Sequence, residues 1–155
     1  MSTDCCGECD DLGVAQGPKG NDGSMIGAVA RIVVPTASIL AGNATPVTLL
    51  AAPGDGLAIK LIEFSTSITY NSAAYATNTT FQIYTDTATV VQGNDTVLLT
   101  STANRHLTGN LIKATGATST QLIANKALLF NVLTGNPTAG NSDIVLYIGY
   151  VIVTL

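Results

Sequence analysis

From Arg31 onward, apolar and polar positions alternate in short runs, with the two-residue period of strands rather than the 3.6-residue period of helices. In "LAIKLIEFSTSITY" (57–70), Leu57, Ile59 and Leu61 share one face. The phase then slips by one, and Ile62, Phe64, Thr66, Ile68 and Tyr70 continue with the opposite parity. A one-residue slip turns every later side chain to the other face, so the pattern predicts a β-bulge near Leu61–Glu63. "TTFQIYTD" (79–86) sets Phe81 and Ile83 against Gln82 and Tyr84, as a half-buried strand does. "RIVVP" (31–35), "ASIL" (37–40), "PVTLL" (46–50) and "TVLLTS" (96–101) are further apolar runs read as strands. So is "QLIANKALLFNVL" (121–133), with a helical turn as the alternative at its start. Pro53–Gly56 marks a tight turn, and "TGNPTAGNSD" (134–143) is dense in turn formers and predicts a loop.

The final run, "IVLYIGYVIVTL" (144–155), is apolar on both parities, with Ile144, Leu146 and Ile148 on one face and Val145, Tyr147 and Val151 on the other. Such a strand is covered on both sides, either centrally in a sandwich or against another subunit. One sheet layer covers only one face. The sequence therefore leads to the expectation that Ile144, Leu146, Ile148, Val151 and Ile152 line a subunit interface. About eight short strands separated by Gly, Asn and Pro turns indicate an all-β fold, an antiparallel β-sandwich of jelly-roll type over residues 28–155. An extended N-terminal tail, residues 1–27, precedes it.

Composition sharpens this picture. The 155 residues suffice for one domain and a tail, with a core that needs no disulfide. Charged residues make up only 10%, against roughly 25% in ordinary globular proteins. The net charge of −4 sits entirely in residues 1–23, where five acids face the single base Lys19; the remaining chain is neutral. A neutral body with scattered bases lacks the electrostatic footprint of a nucleic-acid binder. "MSTDCCGECDD" has neither the basic start nor the apolar stretch of a secretory leader, so none is expected. The 12-residue final run falls short of the ~20 that a membrane-spanning helix needs, and no membrane insertion is expected.

The tail carries the sharpest local signals. Cys5, Cys6 and Cys9 are all the cysteines of the chain, and Gly17, Gly20 and Gly23 then recur every third residue in "GPKGNDG". Collagen needs that spacing because only glycine fits at the axis of three chains. Two readings stand, a turn-rich linker and a short three-chain crossover that aligns a homotrimer. Three cysteines are one short of a zinc site, and adjacent cysteines resist bonding to each other. Anchoring or inter-chain disulfides, reduced packing cysteines and a metal shared between chains all remain open.

Catalytic chemistry is scarce. The single histidine, His106, sits beside Arg105 in a polar stretch with no visible partner, and reads as a surface residue. No Gly-x-Ser-x-Gly elbow occurs, and Asp55, Glu63, Asp86, Asp95 and Asp143 are isolated from one another. "APGDG" lacks the lysine and hydroxyl residue of a phosphate loop. Asp55 or Asp143 offers calcium a carboxylate, but no D-x-D-x-D-G spacing is present. The sequons at Asn43, Asn78 and Asn94 are of the number chance supplies in an Asn- and Thr-rich chain. The expectation is a non-enzymatic protein without cofactor or metal.

The segment 44–86 contains Thr45-Pro46-Val47 before an apolar strand, then Ala52-Pro53-Gly54-Asp55-Gly56, a long strand, and Ala74-Tyr75-Ala76-Thr77-Asn78. Together with "GNPTAGNSD" before the last strand, it resembles a small β-domain of structural proteins of tailed bacteriophages. The resemblance implies a virion fibre or capsid-decoration protein, made in the host cytoplasm, and brings no catalytic residues. The expected protein is a homotrimer that meets other virion proteins through residues 1–27 and displays its β-head outward. One alternative is a receptor-binding adhesin for host surface glycans. Another is the subunit of a self-assembling bacterial surface or spore filament.

Overall fold

In the computed structural model, the described residues are 27–85, 90–95, 97–109 and 122–155. They form β1 (Gly27–Val34), α1 (Thr36–Leu40), β2 (Val47–Leu50), β3 (Leu57–Ile68), β4 (Phe81–Thr85), β5 (Val90–Asp95), β6 (Arg105–Gly109), β7 (Leu128–Val132) and β8 (Ile144–Thr154). The strands pair from the ends of the domain inward, all antiparallel: β1 with β8, β2 with β7, β3 with β6, β4 with β5. Two further pairings, β3 with β8 and β4 with β7, join these ribbons into sheets of order β1-β8-β3-β6 and β2-β7-β4-β5. A long hairpin rolled up in this way is a jelly roll. The chain is an all-β antiparallel sandwich, as its periodicity predicts.

Cross-strand rows build the core. On the inner face of the first sheet, Val34, Ile144 and Ile68 lie side by side, then Ile32, Leu146 and Thr66, then Ala30, Ile148 and Phe64. The second sheet presents Leu49, Phe81, Ile83, Leu128, Phe130 and Val132, with the Phe81 and Phe130 rings 5.3 Å apart. Each large side chain buried in this way contributes about 1.5–3 kcal/mol.

The slip in β3 is a bulge at the predicted place. Leu61 pairs with Tyr150 and Glu63 with Gly149, leaving Ile62 as the extra residue, and Ile62 is exposed. The bulge keeps Leu57, Ile59 and Leu61 on the same face as Phe64, Thr66 and Ile68 although their parities differ.

Several elements differ from the sequence reading. "ASIL" belongs to α1, because Pro35 is extended (φ −71°, ψ 155°) and its carbonyl accepts the Ser38 and Ile39 N–H groups, starting a helical turn that buries Ile39. "TVLLTS" is a turn over Val97–Thr100 rather than a strand; the Ser101 N–H bonds the Leu98 carbonyl, and Leu98 and Leu99 are core residues. Two adjacent apolar residues have no period, so burial alone produced that pattern. Ala124–Asn125 forms a turn before β7, with Asn125 at φ 52°. The polar strand β6 had no apolar alternation to announce it.

The expected subunit interface on the last strand is corrected at Ile144, Leu146 and Ile148. β8 lies between β1 and β3. Ile144, Leu146 and Ile148 are fully buried against the second sheet of their own chain, Val151 is 4% exposed, and Ile152 is partly buried on the inner face. The apolar character of Ile144, Leu146 and Ile148 is accounted for by this chain's own core, whereas Val151, opposite Gly27 and Lys60 on the outer face, and Ile152 are not part of that cluster. No helix among the described residues is long and apolar enough to cross a membrane.

Candidate functional site

Cys5, Cys6, Cys9, Gly17, Gly20 and Gly23 lie outside the described residues. Among the described residues, no three His, Cys, Asp or Glu side chains gather as a metal site would need. Asp55 accepts from Asn125 Nδ2 at 2.8 Å and serves the turn that follows β2.

The two segments that carried the family resemblance after β3 are fastened to each other. Ala76 and Thr138 exchange backbone hydrogen bonds of 2.7 and 2.8 Å. Asn141 Oδ1 accepts the Ser72 and Ala73 N–H groups, and its Nδ2 donates to Ser72 Oγ at 2.7 Å. Asn78 Nδ2 donates to the Asn136 carbonyl, while its Oδ1 accepts from Thr134 Oγ1. Tyr75, 3% exposed, donates its hydroxyl to the Ser142 carbonyl at 2.6 Å. Burial first, and the nearby Asp143 charge as a lesser cause, raise the Tyr75 pKa above the ordinary tyrosine value. Gly140, at φ 91°, lies against the Tyr75 ring so closely that a Cβ would penetrate it. Short polar side chains here satisfy loop backbone groups that no sheet can reach.

Beside this clasp lies an open cleft of about 390 Å³ lined by Arg31 and Val33 of β1, Val145 at the start of β8, and Thr69, Asn71, Asn141, Ser142 and Asp143. Val33 stands opposite Val145 and Arg31 opposite Tyr147, all on the outer face of the first sheet. The two valines floor the cleft. Asp143 is held in place because its Oδ1 accepts from the Thr36 N–H at 2.8 Å and from Thr36 Oγ1 at 3.1 Å. Asn71 is fixed by its N–H, which donates to Ser142 Oγ at 3.0 Å. Farther along the face, the His106 ring meets Tyr147 edge-on, with centroids 6.5 Å apart. His106 is exposed, as its polar surroundings predict.

Nothing in the sequence pointed to this cleft. Its residues come from three segments, 31–33, 69–71 and 141–145, which only the nested pairing brings together. Asp143 drew notice as an isolated carboxylate, whereas Arg31 and Asn71 carried no motif. No family model, curated protein or solved structure matches the chain.

Proposed function

We propose that the chain is a non-enzymatic structural subunit of a virion, a homotrimeric fibre or capsid-decoration protein that docks through residues 1–27 and holds its jelly-roll head outward. The observation that carries this reading is the clasp. The motif residues Tyr75, Ala76 and Asn78 are spent on fastening one loop to another, so their role is to make a rigid head. Jelly rolls occur in viral capsid and lectin domains, an association of fold that assigns no function by itself. Assembly of identical chains draws support from β1, an edge strand whose Val29 is 69% exposed. An uncovered apolar edge is a liability unless something pairs with it. The tail, with all of the net charge and all of the thiols, is the part chemically suited to a socket.

The test is attachment. A chain lacking residues 1–23 is expected to keep its β-rich head and to lose binding to particles. Full decoration by the shortened chain would sink the anchor role. The native mass, measured with and without reductant, reads the trimer and the part played by Cys5, Cys6 and Cys9. A second reading, a receptor-binding adhesin, is favoured by one specific feature, the polar cleft on the outer face of the first sheet.

A further inference from the structure

The cleft holds an unusual pair of unused groups. The Arg31 side chain, in an exposed residue, makes no ion pair or hydrogen bond among the described residues, although Asp143 lines the same cleft. Asp143 commits one oxygen to Thr36 and leaves Oδ2 without a bond among the described residues. Asn71 likewise leaves Oδ1 free while its N–H is anchored. A planar guanidinium is suited to a carboxylate, which it grips through two parallel N–H donors. Two acceptors lining the same cleft call for hydroxyl donors on the same ligand. Asp143 would repel a polyanion such as a phosphate chain more strongly than a monoanion, so a single carboxylate on a hydroxylated body fits best.

The size and floor agree with this. Small-ligand sites usually enclose about 300–1,000 Å³, and this cleft has about 390 Å³. Val33 and Val145 give a shallow apolar floor; Tyr147, the cross-strand partner of Arg31, lies outside the lining and meets His106 edge-on. Such a floor suits the C–H face of a sugar ring and offers no deep hole for an apolar side chain.

We propose that the cleft between Arg31, Asn71 and Asp143 binds a carboxylated saccharide, its carboxylate on Arg31 and its hydroxyls donating to Asp143 Oδ2 and Asn71 Oδ1. The inference rests on the adhesin reading and is independent of how the tail docks. The full-length protein, labelled for nuclear magnetic resonance, is titrated separately with the methyl glycosides of glucuronic acid, glucose and glucosamine. The expected result is a shift of Val33, Thr69, Asn71 and Val145 amides by glucuronide, with affinity about tenfold above that for glucoside. Arg31→Gln is expected to erase that preference without moving the melting temperature, since the Arg31 side chain holds no other group among the described residues. Arg31→Lys is expected to retain part of it. Equal binding of all three sugars, preference for glucosamine, or shifts elsewhere on the head would overturn the acidic-sugar assignment alone. No binding of any sugar, there or to a wider glycan array, would remove the adhesin reading with it.

Discussion

The Tyr75 hydroxyl donates to the Ser142 carbonyl at 2.6 Å, joining two loops separated by 67 residues of chain. Tyr75 is also packed in the core cluster, so one side chain ties the loop end of the sandwich to its interior. The bond satisfies a carbonyl that water does not reach, in a residue 2% exposed.

Tyr75→Phe keeps the packing and removes only the donor. Leaving the Ser142 carbonyl unpaired is expected to cost about 1–3 kcal/mol, read as a lower denaturant midpoint with an unchanged slope. The pH dependence follows from the raised pKa of Tyr75, whose largest cause is burial. A group with a folded pKa above its unfolded value stabilises fully below the unfolded pKa, near 10, and loses that contribution as pH rises through the folded one. Alkaline titration is therefore expected to destabilise the native protein more steeply than Tyr75→Phe. Parallel alkaline limbs would show that Tyr75 does not titrate with unfolding.

Two glycines separate backbone strain from packing. Gly54 has φ 109° with open space around its missing Cβ, whereas Gly140 has φ 91° and the Tyr75 ring in the way. Gly54→Ala is expected to cost about 1 kcal/mol, the price of the strained backbone alone. Gly140→Ala adds displacement of a buried ring and is expected to cost about 2–4 kcal/mol. Thermal melts of the two variants decide it. Equal losses would mean that the Tyr75 ring yields freely.

The outer and inner faces of the first sheet should respond differently. Ile148→Ala opens a cavity in the core and is expected to lose about 2–5 kcal/mol of stability. Val29→Asp, on the exposed side of β1, is expected to leave the fold intact and, if the chain forms the proposed trimer, to lower the native mass to that of a monomer. A Val29→Asp protein that stays trimeric would place the contact between chains elsewhere.

Periodicity revealed whatever burial on one face imposes. The bulge in β3, the turn at Gly54–Gly56 and the loop before β8 each leave a local mark, either a change of parity or a cluster of turn formers. What escaped was set by distant partners. Leu98 and Leu99 are buried by the sandwich around them, not by a strand of their own, and β6 pairs with β3 through polar residues such as His106 and Thr108. The apolar outer positions of β8 suggested a neighbouring chain, but part of their cover is local: Gly149 lies beneath the Glu63 side chain, which a Cβ there would displace. The cleft was illegible for the same reason. Arg31, Asn71 and Asp143 meet only because β1 and β3 both flank β8.

The bulge allows a sharper test, by deletion. Removing Ile62 leaves Leu57, Ile59, Leu61 and Phe64 in unbroken alternation, with Glu63 on the outer face. Every buried side chain of β3 then keeps its side, and the only group lost is one already 56% exposed. Deletion of Ile62 is therefore expected to be tolerated, at about 1 kcal/mol or less, with some loss of strand curvature. Deletion of Ser65 is the counterpart. It turns Thr66 and Ile68 outward, and erasing the bulge to compensate would restore those two only by turning Glu63 inward and Phe64 outward. Either outcome exposes a large apolar side chain, Ile68 or Phe64, worth about 1.5–3 kcal/mol, and the second also buries a carboxylate without a partner. The Ser65 deletion is expected to abolish cooperative unfolding in thermal melts monitored by circular dichroism. If the Ile62 deletion unfolds the chain as completely as the Ser65 deletion, the bulge does more than absorb a change of phase, and the pairing of β3 with β8 depends on the bend itself.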